Sequence, residues 1–172
     1  MRVFGIDCGT ECTGYGVVEW DDAARNPQLI SLGAGGIRLP MKESLPHRLS
    51  LVYAELCTLI QAHAPDVIAI EEVFYSVNAK SALKLGHVRG VALLAAATAG
   101  LPIAEYAPLK IKSTVTGYGL AQKSQVQFMV ARLLNLPELP QPADAADALA
   151  IAICHIHHAQ TLAAQSPQTS RR

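Results

Sequence analysis

Five acidic residues occupy positions where the surrounding sequence is apolar or small. Asp7 ends an apolar run near the N-terminus, Glu71 and Glu72 end a second one, and Asp144 and Asp147 lie three apart in an alanine-rich segment. A spacing of three places Asp144 and Asp147 on one face of a helix. A carboxylate beside a buried strand is costly unless a cation meets it. The pattern therefore predicts that distant parts of the chain bring these acids together.

Such a cluster suits metal-dependent chemistry. Two carboxylates ~4 Å apart repel by roughly 4 kcal/mol at an effective dielectric of about 20, so the cluster requires cations. Oxygen-only ligands favour Mg²⁺ or Mn²⁺ over Zn²⁺. Two such ions per site could clamp a phosphodiester for in-line displacement. Asp7 could instead be a turn aspartate, and Asp144 a first-turn acid favoured by the helix dipole. The residues alone do not choose between Glu71 and Glu72.

The elements that must position these acids form an α/β domain. Apolar runs and turn residues predict strands at 2–7, 13–20, 28–37, 66–74 and 101–106. Helical periodicity predicts helices at 46–63, 78–99, 108–114, 122–134 and 143–164. A three-strand meander followed by crossovers gives a mixed five-stranded sheet flanked by helices. We expect one domain over 1–164 and a disordered tail over 165–172.

Composition narrows the class of protein. The chain is 51% hydrophobic and 16% charged, which excludes a disordered protein. No apolar run is long enough to span a bilayer, and Asp7 interrupts any signal-peptide pattern, so a cytoplasmic protein without a membrane partner is expected. The four cysteines lack a zinc-site spacing. The group Cys154, His155, His157 and His158 resembles a metal cluster, but cationic histidines also suit a helix C-terminus.

The distribution of charge is uneven although the formal net charge is zero. Seven basic residues and a single acid, Glu105, lie within residues 73–137. This stretch predicts either a solvated face or a basic surface that binds nucleic acid. The basic residues are Lys80, Lys84, Arg89, Lys110, Lys112, Lys123 and Arg132.

Five motifs closely resemble the RuvC-type Holliday junction resolvases, over about residues 2–158. They are Gly-Ile-Asp-x-Gly with Thr-Gly-Tyr-Gly, Ala-Ile-Glu-x-Val-Phe, Ser-Ala-Leu-Lys-Leu-Gly-x-x-Arg-Gly-Val-Ala, Gln-Lys-Ser-Gln-Val-Gln, and Ala-Asp-Ala-Ala-Asp-Ala-Leu-Ala-Ile-Ala. The resemblance implies a ribonuclease H-like fold. It also implies paired symmetric nicks in a four-way DNA junction during recombination and repair, and cooperation with the RuvA and RuvB branch-migration proteins.

The resemblance also implies roles for individual residues. It assigns the catalytic and metal-binding carboxylates to Asp7, Glu71, Asp144 and Asp147, and a catalytic role to Lys123. It implies DNA contacts at Phe74, Tyr75, Asn78, Lys80, Lys84, Arg89, Lys112 and Lys123. It implies a homodimer through a helix stripe of Ala82, Gly86 and Gly90. From the residues alone, the aromatic pair could belong to the core, and the glycine stripe could pack within the domain.

The sequence leaves two rival functions and three departures from the family pattern. Asp-x-Gly-Thr followed by Thr-Gly resembles an actin-like ATPase phosphate loop, but 172 residues cannot supply that superfamily's two domains. A junction-binding module that does not cleave is the other rival, against which the complete acid set argues. The departures are Cys8, Glu11 and Glu72, whose roles the sequence leaves open.

Overall fold

A mixed five-stranded sheet forms the centre of the molecule. In this computed structural model the structure describes residues 1–22, 27–72 and 79–165. The strands are β1 (Arg2–Asp7), β2 (Cys12–Asp21), β3 (Gln28–Arg38), β4 (Val67–Glu71) and β5 (Ile103–Tyr106). Their order across the sheet is β3-β2-β1-β4-β5, with β1–β2 and β2–β3 antiparallel and β1–β4 and β4–β5 parallel.

Helices cover both faces of the sheet. The five described helices are α1 (Leu45–His63), α2 (Ala79–Thr98), α3 (Pro108–Thr116), α4 (Lys123–Leu133) and α5 (Ala143–Gln165). One apolar cluster joins one sheet face to α1 and α2, and a second joins the other face to α3, α4 and α5. The two clusters account for the alternation within the strands: in β1, Val3 belongs to the α5 cluster, whereas Phe4 and Ile6 belong to the α1–α2 cluster.

The elements predicted from the sequence are confirmed, with small changes of boundary. The predicted fourth strand extended to residue 74, but β4 ends at Glu71, and Val73 and Phe74 lie outside the described residues. The fifth strand begins at Ile103 because the chain first leaves α2 through Gly100, which adopts a left-handed backbone conformation (φ 70°). Helix α5 includes Gln165, the first residue of the predicted tail, and 166–172 lie outside the described residues. Among the described helices, none combines the length and apolarity needed to cross a bilayer.

Candidate active site

Asp7 and Glu71 lie side by side at the carboxyl ends of the two central parallel strands. The β1–β4 register pairs Ile6 with Ile70, and both acids come one residue later. In β4, Val67 and Ala69 face the α5 side of the sheet, so alternation places Glu71 on that side as well. Glu72 is exposed, and its N–H donates to the carbonyl oxygen of Tyr106 across the sheet. This two-residue alternation was the signal that could have distinguished Glu71 from Glu72 in the sequence.

Three glycines let α5 lie directly against the sheet and bring its acids to Asp7. A Cβ atom at Gly5 would overlap the carbonyl oxygen of Ala148, and one at Gly14 would overlap that of Asp144. At Gly16 a Cβ would lie only 2.7 Å from the backbone nitrogen of Leu149. The alanines on the facing side of α5 are fully buried, which completes this close contact. The sequence does not reveal this role of the glycines, since it depends on contact between segments far apart in the chain.

The structure brings four of the predicted carboxylates to one place. Ligand oxygens of Asp7, Asp144 and Asp147 all lie within 4.8 Å of one another, and no other such metal-ligating group occurs among the described residues. Glu71 lies outside that limit but lines the same cavity of about 160 Å³ as Asp7 and Asp147. Lys112 and Lys123 also line this cavity, which we call the acidic cleft.

The electrostatics of the acidic cleft reflect crowding of like charge. Burial, and then the charges of Asp147, Glu71 and Asp144, raise the pKa of Asp7 from 3.8 to about 7. Burial and Asp147 also raise the pKa of Glu71. The Lys123 ammonium lies 2.5 Å from a carboxylate oxygen of Asp147, and this hydrogen bond raises the pKa of Lys123. Lys123 and Lys112 therefore offset only part of the negative charge of four carboxylates.

This arrangement fits a hard divalent cation. All of the clustered donors are carboxylate oxygens, the ligands that Mg²⁺ and Mn²⁺ prefer. Protonating Asp7 relieves the repulsion at low pH, and a bound cation would relieve it at neutral pH. The donor set and its charge thus support a metal site at Asp7, Glu71, Asp144 and Asp147.

The two thiols near the cluster do not form a nucleophilic centre. Burial, together with the neighbouring charge of Asp7, raises the pKa of Cys8 to about 12, so this thiol remains protonated. Burial and a hydrogen bond to Asp144 raise the pKa of Cys12. Cys12 therefore contacts a candidate ligand as a neutral donor, a contact that the sequence did not reveal.

A buried arginine supports the turn that follows Asp7. Arg48 of α1 is almost fully buried, and its guanidinium donates to the carbonyl oxygen of Thr10. This bond ties the β1–β2 turn to the helix on the opposite face of the sheet. No feature of the sequence singled out Arg48, because its position in a helical stripe gives no indication of its long-range partner.

The predicted DNA-contact residues have differing surroundings. Lys80 and Lys84 are exposed on α2, and Lys112 and Lys123 line the acidic cleft. The Arg89 guanidinium forms an ion pair with Glu105 and lies 3.4 Å from the carbonyl oxygen of Glu71, so Arg89 connects α2 to β4 and β5. Its predicted contact with DNA stays a prediction. Phe74, Tyr75 and Asn78 lie outside the described residues.

The predicted dimer stripe forms part of an open helix face. A Cβ atom at Gly86 or Gly90 would meet no atom of the described residues within 4 Å, so packing against that part of the chain does not explain these glycines. On the same helix, Leu83 is 65% exposed and Leu94 is 56% exposed. We call the surface formed by Ala82, Leu83, Gly86, Gly90 and Leu94 the glycine face.

The histidines near the end of α5 form no metal site within the described residues. The Tyr106 hydroxyl and Nδ1 of His155 are hydrogen-bonded at 2.8 Å, and the Tyr106 ring makes edge contacts with His155 and His158. Burial lowers the pKa of both His155 and His157. His155 and His158 join the C-terminal half of α5 to Tyr106 of β5.

Comparisons with known proteins agree with this geometry. The family model described as "Crossover junction endodeoxyribonuclease RuvC" matches residues 3–155. A relative of that name from Acidobacterium capsulatum is 73% identical over 96% of this chain and 98% of its own length. One from Koribacter versatilis is 62% identical over 94% of this chain and 96% of its own length.

The structure of Thermus thermophilus RuvC has a TM-score of 0.84 at 33% identity, covering 94% of this chain and 96% of that one. A second structure, of T. thermophilus RuvC in complex with Holliday junction substrate, has a TM-score of 0.84 at 31% identity, with the same coverage.

Proposed function

This chain belongs to the RuvC family of crossover junction endodeoxyribonucleases, and on that basis we propose that it resolves Holliday junctions with Asp7, Glu71, Asp144 and Asp147 as its catalytic carboxylates. The single observation that carries this proposal is the cluster of Asp7, Asp144 and Asp147 within 4.8 Å, with Glu71 in the same cavity. Four carboxylates that repel one another are favourable together when cations bind them, and bound divalent cations can catalyse phosphodiester hydrolysis. The arrangement therefore favours a nuclease over a junction-binding module that does not cleave.

The carboxylates would hold two Mg²⁺ or Mn²⁺ ions in each site. When bound, such a pair supplies a nucleophile at neutral pH and stabilises charge on the attacking and leaving oxygens of the phosphodiester. Asp7 and Glu71 sit on the central strands, whose hydrogen bonding holds them rigidly, and α5 supplies Asp144 and Asp147. The products would be paired symmetric nicks in strands of like polarity.

The two lysines of the acidic cleft would act on the substrate. Lys123 lies at the start of α4 and Lys112 on α3, so both reach the cleft from outside the sheet. An ammonium beside the reacting phosphate offsets negative charge as it develops, so we assign Lys123 a catalytic role and Lys112 a DNA contact. Lys80, Lys84 and Arg89 would bind backbone phosphates, which positions the junction without reading its sequence.

A homodimer would present two clefts to one junction. The glycine face is open, small at its centre and apolar at its edges, which suits a close contact between two copies of α2. A two-fold dimer matches the approximate two-fold symmetry of a four-way junction. We further expect this protein to act in the cytoplasm, with RuvA and RuvB moving the junction past it, as its family membership suggests.

The test is cleavage of a mobile synthetic junction, with products mapped to the nucleotide in Mg²⁺ and in Mn²⁺. Asp7→Asn removes a carboxylate at the centre of the cluster. We expect its cleavage rate to fall at least 100-fold, because removing one group that stabilises transition-state charge typically costs an enzyme about that much. Asp22→Asn, a change at an exposed acid, serves as the matched control and should cleave normally. Cleavage by Asp7→Asn at the wild-type rate would overturn the assignment. A wild-type protein that binds junctions without nicking them would establish the binding module instead.

A further inference from the structure

Asp144 lies in the first turn of α5, where its side chain has competing partners. A carboxylate at the start of a helix can turn toward the free backbone N–H groups of that turn, away from the other acids. Asp147 is held by its ion pair with Lys123, but no ion pair to Asp144 occurs among the described residues. A neutral hydrogen-bond donor on the sheet side would favour the orientation toward Asp7.

Cys12, the first residue of β2, lies on the sheet face that meets this turn. Side chains alternate along a strand, and Gly14 and Gly16 of β2 both face α5, so Cys12 faces α5 as well. A Cβ atom at Gly14 would overlap the carbonyl oxygen of Asp144 and lie 3.0 Å from its Cβ. The thiol therefore comes from a strand that lies directly under Asp144.

Gly36 of β3 leaves room for the Cys12 side chain. A Cβ atom at Gly36 would lie 2.6 Å from Sγ of Cys12 and 2.7 Å from Cγ of Pro142. The sulfur and the proline ring thus share the space over Gly36, and Pro142 directly precedes α5. This packing restricts where the sulfur can lie, and it agrees with the hydrogen bond between Cys12 and the Asp144 side chain.

A thiol suits this place because it donates a hydrogen bond without adding charge. An unperturbed thiol is mostly protonated at neutral pH, and burial raises the pKa of Cys12 further. A lysine in its place would also hold the carboxylate, but its charge would repel the cations that the acids fit. The neutral thiol leaves the negative charge of the four carboxylates available to those cations.

We propose that Cys12 is a positioning residue, whose thiol donates a hydrogen bond to the Asp144 carboxylate and so holds that carboxylate toward Asp7. This inference rests on the proposed function, since it takes Asp144 to be a metal ligand. Partners of this kind, which hydrogen-bond to a metal ligand, typically contribute about 10–100-fold to metal affinity. A thiol is a weak donor, so we expect an effect of about 10-fold.

Raman spectroscopy of the metal-free, full-length protein tests the hydrogen bond itself. The S–H stretching frequency falls when a thiol donates a hydrogen bond, and subtracting the spectrum of Cys12→Ala isolates the Cys12 band. We expect this band to rise in frequency when Asp144→Ala removes the acceptor, with Cys12→Ala subtracted in the same background. A Cys12 band that does not move would show that the bond is absent, and the inference would be wrong.

Calorimetric titration of Mn²⁺ into the protein without DNA tests the consequence for the metal site. Cys12→Ala should weaken Mn²⁺ binding by about 10-fold, whereas Cys12→Ser, whose hydroxyl also donates, should bind like the wild-type protein. Cys57→Ala removes a half-buried thiol from α1 on the other sheet face and should change nothing. Equal weakening in Cys12→Ala and Cys12→Ser would overturn the inference, because packing of the sulfur would then be responsible.

Asp144→Ala separates this inference from its premise in the same titration. If Asp144→Ala binds Mn²⁺ like the wild-type protein, Asp144 is not a metal ligand, and the proposed ligand set and this inference both fail. If Asp144→Ala binds weakly while Cys12→Ala binds like the wild-type protein, the metal site stands and only the role of Cys12 is wrong. Junction cleavage by the wild-type protein reports the proposed function independently.

Discussion

Asp7 shows how a single ionised residue can carry a free-energy cost that protonation or a bound cation relieves. It lies at the end of a buried strand with three other carboxylates around it, and its pKa of about 7 records both facts. Such perturbed groups concentrate at functional sites. Two consequences for the metal-free protein follow at this scale.

The raised pKa of Asp7 makes the stability of the metal-free protein depend on pH. Between 3.8 and about 7 the native Asp7 holds a proton that the unfolded chain has released, so the native state binds more protons there. Stability of the metal-free protein should therefore fall as pH rises from about 4 to about 7. Thermal unfolding in a chelator checks this. Asp7→Asn should flatten the decline, and Asp22→Asn should leave it unchanged; an unchanged slope in Asp7→Asn would contradict the assignment.

Two opposing electrostatic effects act on Asp144 in the metal-free protein. At 4.8 Å or less, its repulsion with Asp7 amounts to roughly 3–4 kcal/mol at an effective dielectric of about 20. The helix dipole favours an acid in the first turn of α5 by only about 0.3–1 kcal/mol. Repulsion is the larger effect, so Asp144→Asn should raise the melting temperature of the metal-free protein at about pH 8, by roughly 2–4 °C for each kcal/mol. A lower melting temperature would show that the four acids are less strongly coupled than the structure indicates.

At the scale of elements, the site depends on how closely α5 approaches β1 and β2. Gly5→Ala would place a methyl group against the carbonyl oxygen of Ala148, and neither backbone can move cheaply. We expect a loss of roughly 1–3 kcal/mol in the free energy of unfolding. Mg²⁺ affinity should weaken too, because α5 carries Asp144 and Asp147.

Gly33→Ala in β3 is the matched control for this change. There the added Cβ would meet only the imidazole of His63, at 3.0 Å, and that side chain can turn aside. Denaturant unfolding and calorimetric Mg²⁺ titration measure both effects. Equal results for the two variants would mean that close packing of α5 does not position its carboxylates.

The sequence predicts the elements well because their periodicities are local. Strand β1 and helix α5 are both evident from runs of apolar and small residues. The sequence does not predict which residues of one element touch another. Gly5 and Ala148 are far apart in the chain, and Arg48 and Thr10 are 38 residues apart, so neither contact leaves a local pattern. The sequence indicates Asp7, Asp144 and Asp147 as candidate metal ligands. Choosing Glu71 over Glu72 requires either strand alternation or the family resemblance.

At the scale of the whole molecule, the glycine face predicts assembly. Gly86→Leu adds a large side chain where the described residues of the domain offer no obstacle, and leucine favours a helix more than glycine does by about 1 kcal/mol. The isolated fold should therefore remain intact while a close contact between two copies of α2 becomes impossible. We expect light scattering to change from a dimer to a monomer mass, and paired nicking to become uncoupled single nicks.

Ala54→Leu provides the control, since it makes a similar change on an exposed part of α1. It should keep the mass and the nicking pattern of the wild-type protein. A Gly86→Leu protein that remains a dimer would place the contact on another surface.

The central sheet separates the acidic cleft from the glycine face, and this separation bears on how the protein can evolve. The acidic cleft and α3–α5 lie on one of its faces, while α1 and α2 with the glycine face lie on the other. With self-association assigned to the glycine face as proposed, substitutions that alter it fall in a different packing layer from those that alter the chemistry. The two properties can vary separately, so an engineer could redesign the pairing surface, or make it accept a different copy, without disturbing the four carboxylates.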